Sequence, residues 1–206
     1  MSGRTPNQIA FIKTILANDI TLAHGPAGTG KTHIAIGMAV YALRNRHIER
    51  IILCRPAVDS GASIGYLPGT MEEKIGPYLA PLFDELAYYV EPNHVKAWME
   101  HKIIEIVPLP FMRGRTFNNA YVVLDEAQNA TMPEIRMFLT RIGLNSRMIL
   151  VGDLHQTDLP HNQRGAFKDC INSLEDMDGV GVSELQRQDI IRHHLIGEIE
   201  KRLAAH

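Results

Sequence analysis

The chain has 206 residues, enough for one domain with a sizeable core, and its 45% hydrophobic and 21% charged content is ordinary for a soluble globular protein. A net charge of -2 excludes an overall basic field of the kind that advertises nucleic-acid binding. The start of the chain has no apolar signal core and no run approaches the roughly 18 apolar residues of a membrane span, so the expected compartment is the cytoplasm, with no membrane partner.

Taken in chain order, Thr5-Pro6-Asn7-Gln8 opens a helix, with a capping pattern and a proline in the first turn. Ile20–His24 reads as a short buried strand. It runs into Gly25-Pro26-Ala27-Gly28-Thr29-Gly30-Lys31-Thr32, and a helix is predicted over 32–46. Further strands are predicted at 51–54, 103–107, 121–124 and 148–151, each an apolar run of the kind covered on both faces in a parallel sheet. Helical patterns fall at 71–89, 93–101, 132–142, 165–174 and 190–205, with Thr131-x-x-Glu134 capping the third. The alternation predicts a three-layer α/β/α fold with a mainly parallel sheet, and residues 1–206 read as a single domain. The stretch 55–70 holds too many turn formers for a helix, and a loop that long in a compact domain is usually functional. Cys54 and Cys170 lie in apolar runs and read as buried small hydrophobes rather than a disulfide or metal pair. None of the ten histidines has metal-ligand spacing.

The chemistry begins at residues 25–32, which fit G-x-x-x-x-G-K-[ST], the phosphate-binding loop, in its strand–loop–helix context. The glycines turn backbone N–H groups inward around a triphosphate, Lys31 reaches the β/γ oxygens, and the Thr32 hydroxyl can ligate Mg²⁺. ATP and Mg²⁺ are therefore the expected ligands. Strand 121–124 ends in Asp125-Glu126, beyond the carboxyl end of a strand, where ligands bind in parallel sheets. Asp125 is expected to hold Mg²⁺ opposite Thr32, and Glu126 to polarise the attacking water. Strand 148–151 ends in Gly152-Asp153, and Gln156 follows three residues later; its amide can sense the γ-phosphate, while Asp153 braces the loop. Gln8 has two readings, recognition of the adenine edge or the acceptor half of a capping box with Thr5. Arg187 and Arg192 are candidates for the positive charge that phosphoryl transfer needs, with an Asp189 ion pair as the plain reading of Arg192.

Several segments together resemble the PhoH family of P-loop ATPases. They are Arg55-Pro-Ala-Val, Tyr66-Leu-Pro-Gly, Glu73-Lys-Ile-x-Pro-Tyr, Phe111-Met-Arg-Gly-Arg-Thr, Leu124-Asp-Glu-Ala-Gln-Asn, Val151-Gly-Asp and Ile191-Arg-His, and the likeness runs from Gln8 to about Ile199. The resemblance implies a RecA-like core related to superfamily 1 helicases, ATP hydrolysis, a hexameric ring of identical subunits and a link to phosphate starvation and RNA metabolism. It implies Lys31, Glu126, Gln156 and Arg192 as catalytic residues, with Arg192 ahead of Arg187 as an arginine finger. It matches the 55–70 and 111–116 loops to segments where helicase cores meet single-stranded RNA or DNA, which makes Arg55, Phe111, Arg113 and Arg115 nucleic-acid candidates. The 111–116 loop fits a subunit interface that completes the ATP site equally well. Some relatives carry an added RNA-binding or nuclease domain, and none is expected here. The rival to an ATPase is a nucleotide-dependent binding module that recruits an RNA-processing partner with little turnover.

Overall fold

Apolar runs buried on both faces belong in the middle of a parallel sheet, and that is where they lie. In the computed structural model, which describes residues 3–56, 71–161, 164–191 and 202, the strands are β1 (Ile20–His24), β2 (Arg50–Arg55), β3 (Ile104–Pro108), β4 (Ala120–Leu124), β5 (Arg147–Gly152) and β6 (Val180–Glu184). Their order is β3-β2-β4-β5-β1-β6 and every pairing is parallel. Successive side chains divide between two cores. Ile51, Leu53, Tyr121, Val123, Ile149 and Val151 pack on α1 (Pro6–Ala17), α2 (Lys31–Arg44), α3 (Met71–Ala87) and α4 (Pro92–Glu100). Ile52, Cys54, Val122, Leu124, Met148 and Leu150 pack on α5 (Met132–Leu139), α6 (Ala166–Leu174) and the 3-10 turn Leu109–Met112. Each large apolar side chain so buried contributes about 1.5–3 kcal/mol. Both cysteines are buried thiols, and burial pushes Cys170 up to about 11 and Cys54 well above its ordinary value, the Asp125 charge adding to the latter.

Strand β6 is the element the apolar-run criterion misses. Val180-Gly-Val-Ser-Glu has no apolar run because it is an edge strand, covered on one face by α1: a Cβ on Gly181 would stand 2.4 Å from Thr14 Cγ2, and the Ser183 hydroxyl donates to Thr14 Oγ1 at 2.9 Å. The predicted 190–205 helix does not include Ile190 or Ile191, which follow a 3-10 turn at Arg187–Asp189; its remainder lies outside the described residues apart from Arg202, which is helical.

Helix α1 is fastened at both ends. Thr5 caps it by accepting from the Gln8 N–H at 3.2 Å. At its far end the Arg147 guanidinium donates to the carbonyls of Ile15, Leu16 and Asn18, groups a helix C-terminus leaves unpaired. Asp189, 1% exposed, accepts from Asn7 Nδ2 at 2.8 Å and the Gln186 N–H at 2.7 Å, tying α1 to the turn after β6. Burial acts to raise the Asp189 pKa, but hydrogen bonds from Thr5, the Gln186 N–H and Asn7 outweigh it and hold the value below the ordinary carboxylate range. Asp189→Ala is expected to cost about 2–4 kcal/mol in denaturant unfolding near neutral pH. Because the folded-state pKa is depressed, the part of that cost that depends on the charge is complete above the unfolded value of about 3.9 and is lost as pH falls through the folded value. A cost under about 0.5 kcal/mol, the range of an ordinary surface change, rejects the anchoring role.

Candidate nucleotide site at the carboxyl edge of the sheet

Parallel strands send their carboxyl ends to one edge, so the loops after β1, β4 and β5 converge there with Arg55, the last residue of β2. Residues 25–30 pass from β1 to α2 with Gly28 and Gly30 at φ of 79° and 84°, and Gly30 is the N-cap of α2. The backbone N–H groups of that first turn are the ready-made anion site of a helix N-terminus. The Thr29 hydroxyl donates to Pro26 O at 2.9 Å and closes the loop on itself. The Lys31 ammonium donates to the carbonyls of Gly25 at 2.6 Å and Pro26 at 2.8 Å. Burial lowers the Lys31 pKa, opposed by the charges of Asp153, Glu126 and Asp125.

The loop faces a cavity of about 500 Å³ whose lining brings together Gln8, Lys31, Thr32, Asp125, Glu126, Asp153 and Gln156. Thr32 Oγ1 donates to Asp125 Oδ1 at 2.6 Å, across 93 residues of sequence. Glu126 has φ 55° and ψ 41°, left-handed for a non-glycine residue, a conformation costing about 1–2 kcal/mol. Two contacts hold its carboxylate in place. Arg55 Nη2 donates to Glu126 Oε1 at 3.3 Å, and Gln128 Nε2 to Glu126 Oε2 at 2.5 Å. Arg55 Nε also donates to Asp125 Oδ2 at 2.9 Å in an ion pair whose side chains are 13% and 6% exposed.

Gln128 closes the Asp-Glu-Ala-Gln stretch of the site, and sequence reasoning assigned it no role. Its Oε1 accepts the Asp153 N–H at 2.9 Å, so one carboxamide joins Glu126 to the loop after β5. Glycine at 152 permits this, since a Cβ there would stand 2.6 Å from Gln128 Oε1. Asp153 in turn accepts the His155 N–H at 2.9 Å and braces the loop that presents Gln156 to the cavity. A 3-10 turn over Ala127–Asn129 folds Gln128 back beside Glu126, a proximity that the sequence by itself does not mark.

The remaining expected residues fall as follows. Gln8 is 4% exposed; its Oε1 accepts the Arg4 N–H at 2.8 Å and its Nε2 donates to Thr29 O at 3.0 Å, so it does not close a capping box on Thr5 but ties α1 to the phosphate loop. Arg187 is exposed and lines an adjoining cavity of about 440 Å³ with His24, Glu184 and His155; Asp153 and Gln156 line both. Arg192 and residues 57–70 lie outside the described residues. Arg55 sits with the two carboxylates, and Arg115 donates to both Glu105 oxygens at 2.8 Å and stacks 4.6 Å over the Phe117 ring. Of the four nucleic-acid candidates, Phe111 and Arg113 are the exposed ones, at the β3 edge of the sheet. Among the described residues no group of three His, Cys, Asp or Glu side chains could hold a metal by itself, and no helix is long and apolar enough to cross a membrane.

The arrangement resembles known proteins at two levels. Among solved structures, the large terminase of a thermophilic bacteriophage superposes with a TM-score of 0.59 at 11% identity, covering 96% of this chain and 50% of that one. The UvsW helicase of bacteriophage T4 gives 0.51 at 13% identity, covering 90% and 62%. At these identities the likeness is one of fold. In sequence, PhoH-like proteins of Mycobacterium tuberculosis strain H37Rv and Bacillus subtilis strain 168 are each 46% identical over 196 residues, and Protein PhoH of Escherichia coli K12 is 37% identical over 195. The chain spans 56%, 61% and 55% of the length of those three relatives, while 95%, 95% and 94% of the chain is matched. The family model for PhoH-like protein matches residues 1–204, and with the phosphate loop on its RecA-like parallel sheet the chain belongs to the PhoH-like family of P-loop NTPases.

Proposed function

We propose that this chain binds ATP with Mg²⁺ and hydrolyses it, in a ring of identical subunits coupled to single-stranded RNA or DNA. What supports the reading above all is the Thr32–Asp125 contact of 2.6 Å on the cavity floor, with the Glu126 carboxylate beside it. The donors there are hard oxygens, suited to Mg²⁺, and they are few, which fits an ion that takes its other ligands from phosphate and water. Thr32 and Asp125 would hold the ion, which would supply positive charge against the phosphates. Lys31 exchanges its loop carbonyls for β/γ oxygens, the N–H groups of the α2 first turn hold the phosphates, and Glu126 accepts the proton of the attacking water. Gln128 and Arg55 set the direction in which that carboxylate points.

One observation favours the alternative, a nucleotide-dependent binding module of low turnover that recruits an RNA-processing protein. Both Glu126 oxygens already accept hydrogen bonds, from Arg55 and Gln128. Measuring phosphate release with and without single-stranded RNA separates the readings: turnover raised by RNA supports the coupled ATPase, and negligible turnover in both supports the module.

Phe111 and Arg113 are the proposed strand contacts, an apolar face beside an exposed cation. Arg113→Ala is expected to weaken RNA binding and to lower the slope of log affinity against log salt by about one. Binding titrations at several salt concentrations, with oligomer size followed in parallel, check it. Unchanged RNA affinity with a broken oligomer assigns the loop to a subunit interface instead.

A further inference from the structure

We propose that the nucleobase of the bound nucleotide stacks on the ring of Tyr88, so that the base is recognised by its face rather than by its hydrogen-bonding edge. The inference rests on the nucleotide reading of the cavity and names the base-binding part of that site. Tyr88 is 75% exposed, yet it lines the same cavity as the phosphate loop. A tyrosine ring left this open at the mouth of a polar cavity is apolar area that a flat aromatic ligand would cover.

The ring belongs to a built platform. His33, the residue after Thr32 in the first turn of α2, meets Tyr88 edge-on, with centroids 5.6 Å apart and planes at 83°. His33 is itself fixed from two sides. Its Nδ1 lies 3.0 Å from Glu85 Oε2, and its ring lies 4.8 Å from that of Tyr89 at 34°. The Tyr89 hydroxyl donates to the His33 carbonyl at 2.9 Å, and Arg44 Nη2 holds the Tyr89 carbonyl at 2.6 Å. Phosphates seated on the first turn of α2 therefore leave ribose and base to extend past His33, beside the exposed face of Tyr88. The group expected to read an edge is differently engaged. Gln8 is buried and bonded at both ends of its carboxamide, one end to the phosphate loop.

Stacking tolerates any base in proportion to its area, so ATP and GTP should bind within about threefold of each other and CTP more weakly. The test is calorimetric titration of wild type, Tyr88→Ala and Tyr88→Trp with ATP, GTP, CTP and inorganic tripolyphosphate. Tripolyphosphate carries the charge of the nucleotide without the base. Tyr88→Ala is expected to weaken ATP and GTP about 5- to 100-fold, to leave tripolyphosphate affinity unchanged, and to be rescued by Tyr88→Trp. Unchanged ATP affinity in Tyr88→Ala overturns the inference, as does a loss shared equally by tripolyphosphate. Loss of RNA affinity with ATP affinity kept overturns it too, and gives Tyr88 to a nucleic-acid strand. A wild-type protein that binds neither ATP nor tripolyphosphate defeats the nucleotide reading itself, and this inference with it.

Discussion

Glu126→Gln is expected to bind ATP with near wild-type affinity and to hydrolyse it about 10²–10⁴-fold more slowly. The amide keeps the size and one acceptor oxygen of the carboxylate but cannot take the proton of the attacking water. Its neighbours are well placed to tolerate it. Gln128 Nε2 keeps an acceptor if the amide oxygen faces it, and Arg55 retains its bond to Asp125. The measurement is phosphate release at saturating ATP alongside a direct binding titration. A variant with full turnover would remove Glu126 from the chemistry, and one with lost binding would make its role structural.

The second large effect concerns charge supplied from outside the subunit. Among the described residues two basic side chains besides His33 line the cavity, Lys31 on the phosphate loop and the exposed Arg4 ahead of α1, while the Arg55 guanidinium is committed to Asp125 and Glu126. A developing transition state on the γ-phosphate gains from positive charge beyond Lys31, and we propose Arg192 of a neighbouring protomer for that role, ahead of Arg187. A head-to-tail contact of this kind repeats until it closes a ring. An arginine finger is worth roughly 10³–10⁵ in rate. Arg192→Ala is thus expected to bind ATP and assemble while losing turnover on that scale. Lys31→Ala, which removes the cation on the β/γ oxygens, is expected to lose triphosphate affinity. Mixing the two variants should restore part of the activity, since some interfaces then pair an intact loop with an intact finger. A mixture that stays inactive while subunits exchange, or a native protein that is fully active as a monomer, defeats the shared site.

Sequence reasoning located the phosphate loop and every described strand except β6 because both are written in strong local signals. A strand covered on two faces must be an apolar run, as Ile51–Cys54 and Tyr121–Leu124 are, and a phosphate loop must carry its glycines and lysine at fixed spacing. The same reasoning missed β6, whose valines alternate with Gly181 and Ser183: Val180 and Val182 face one core and the small residues face α1, so no apolar run is written. It placed Thr32, Asp125 and Glu126 at one site through the rule that ligands gather at strand ends, and all three line one cavity. It did not find that Arg55 joins them, because pairing across 70 residues leaves no periodic trace in the chain. Gln128 was missed for a different reason. Its function lies in bridging two loops, and nothing in the local pattern distinguishes a bridging amide from a solvated one. Gln8 carried two readings; its carboxamide closes no capping box on Thr5 and holds the carbonyl of Thr29 at the rim of the same cavity.

Strand β1 is paired on both sides, with Leu22 opposite Leu150 in β5 and Val182 in β6. Leu22 faces one core and Ala23 the other. Shortening β1 by one residue would exchange those faces and draw the phosphate loop back by about 3.3 Å. That is more than the whole 2.6 Å separation of Thr32 and Asp125. The two flanking strands thus act as a ruler, and the five residues from Ile20 to His24 set the distance between the halves of the site as firmly as any side chain in it.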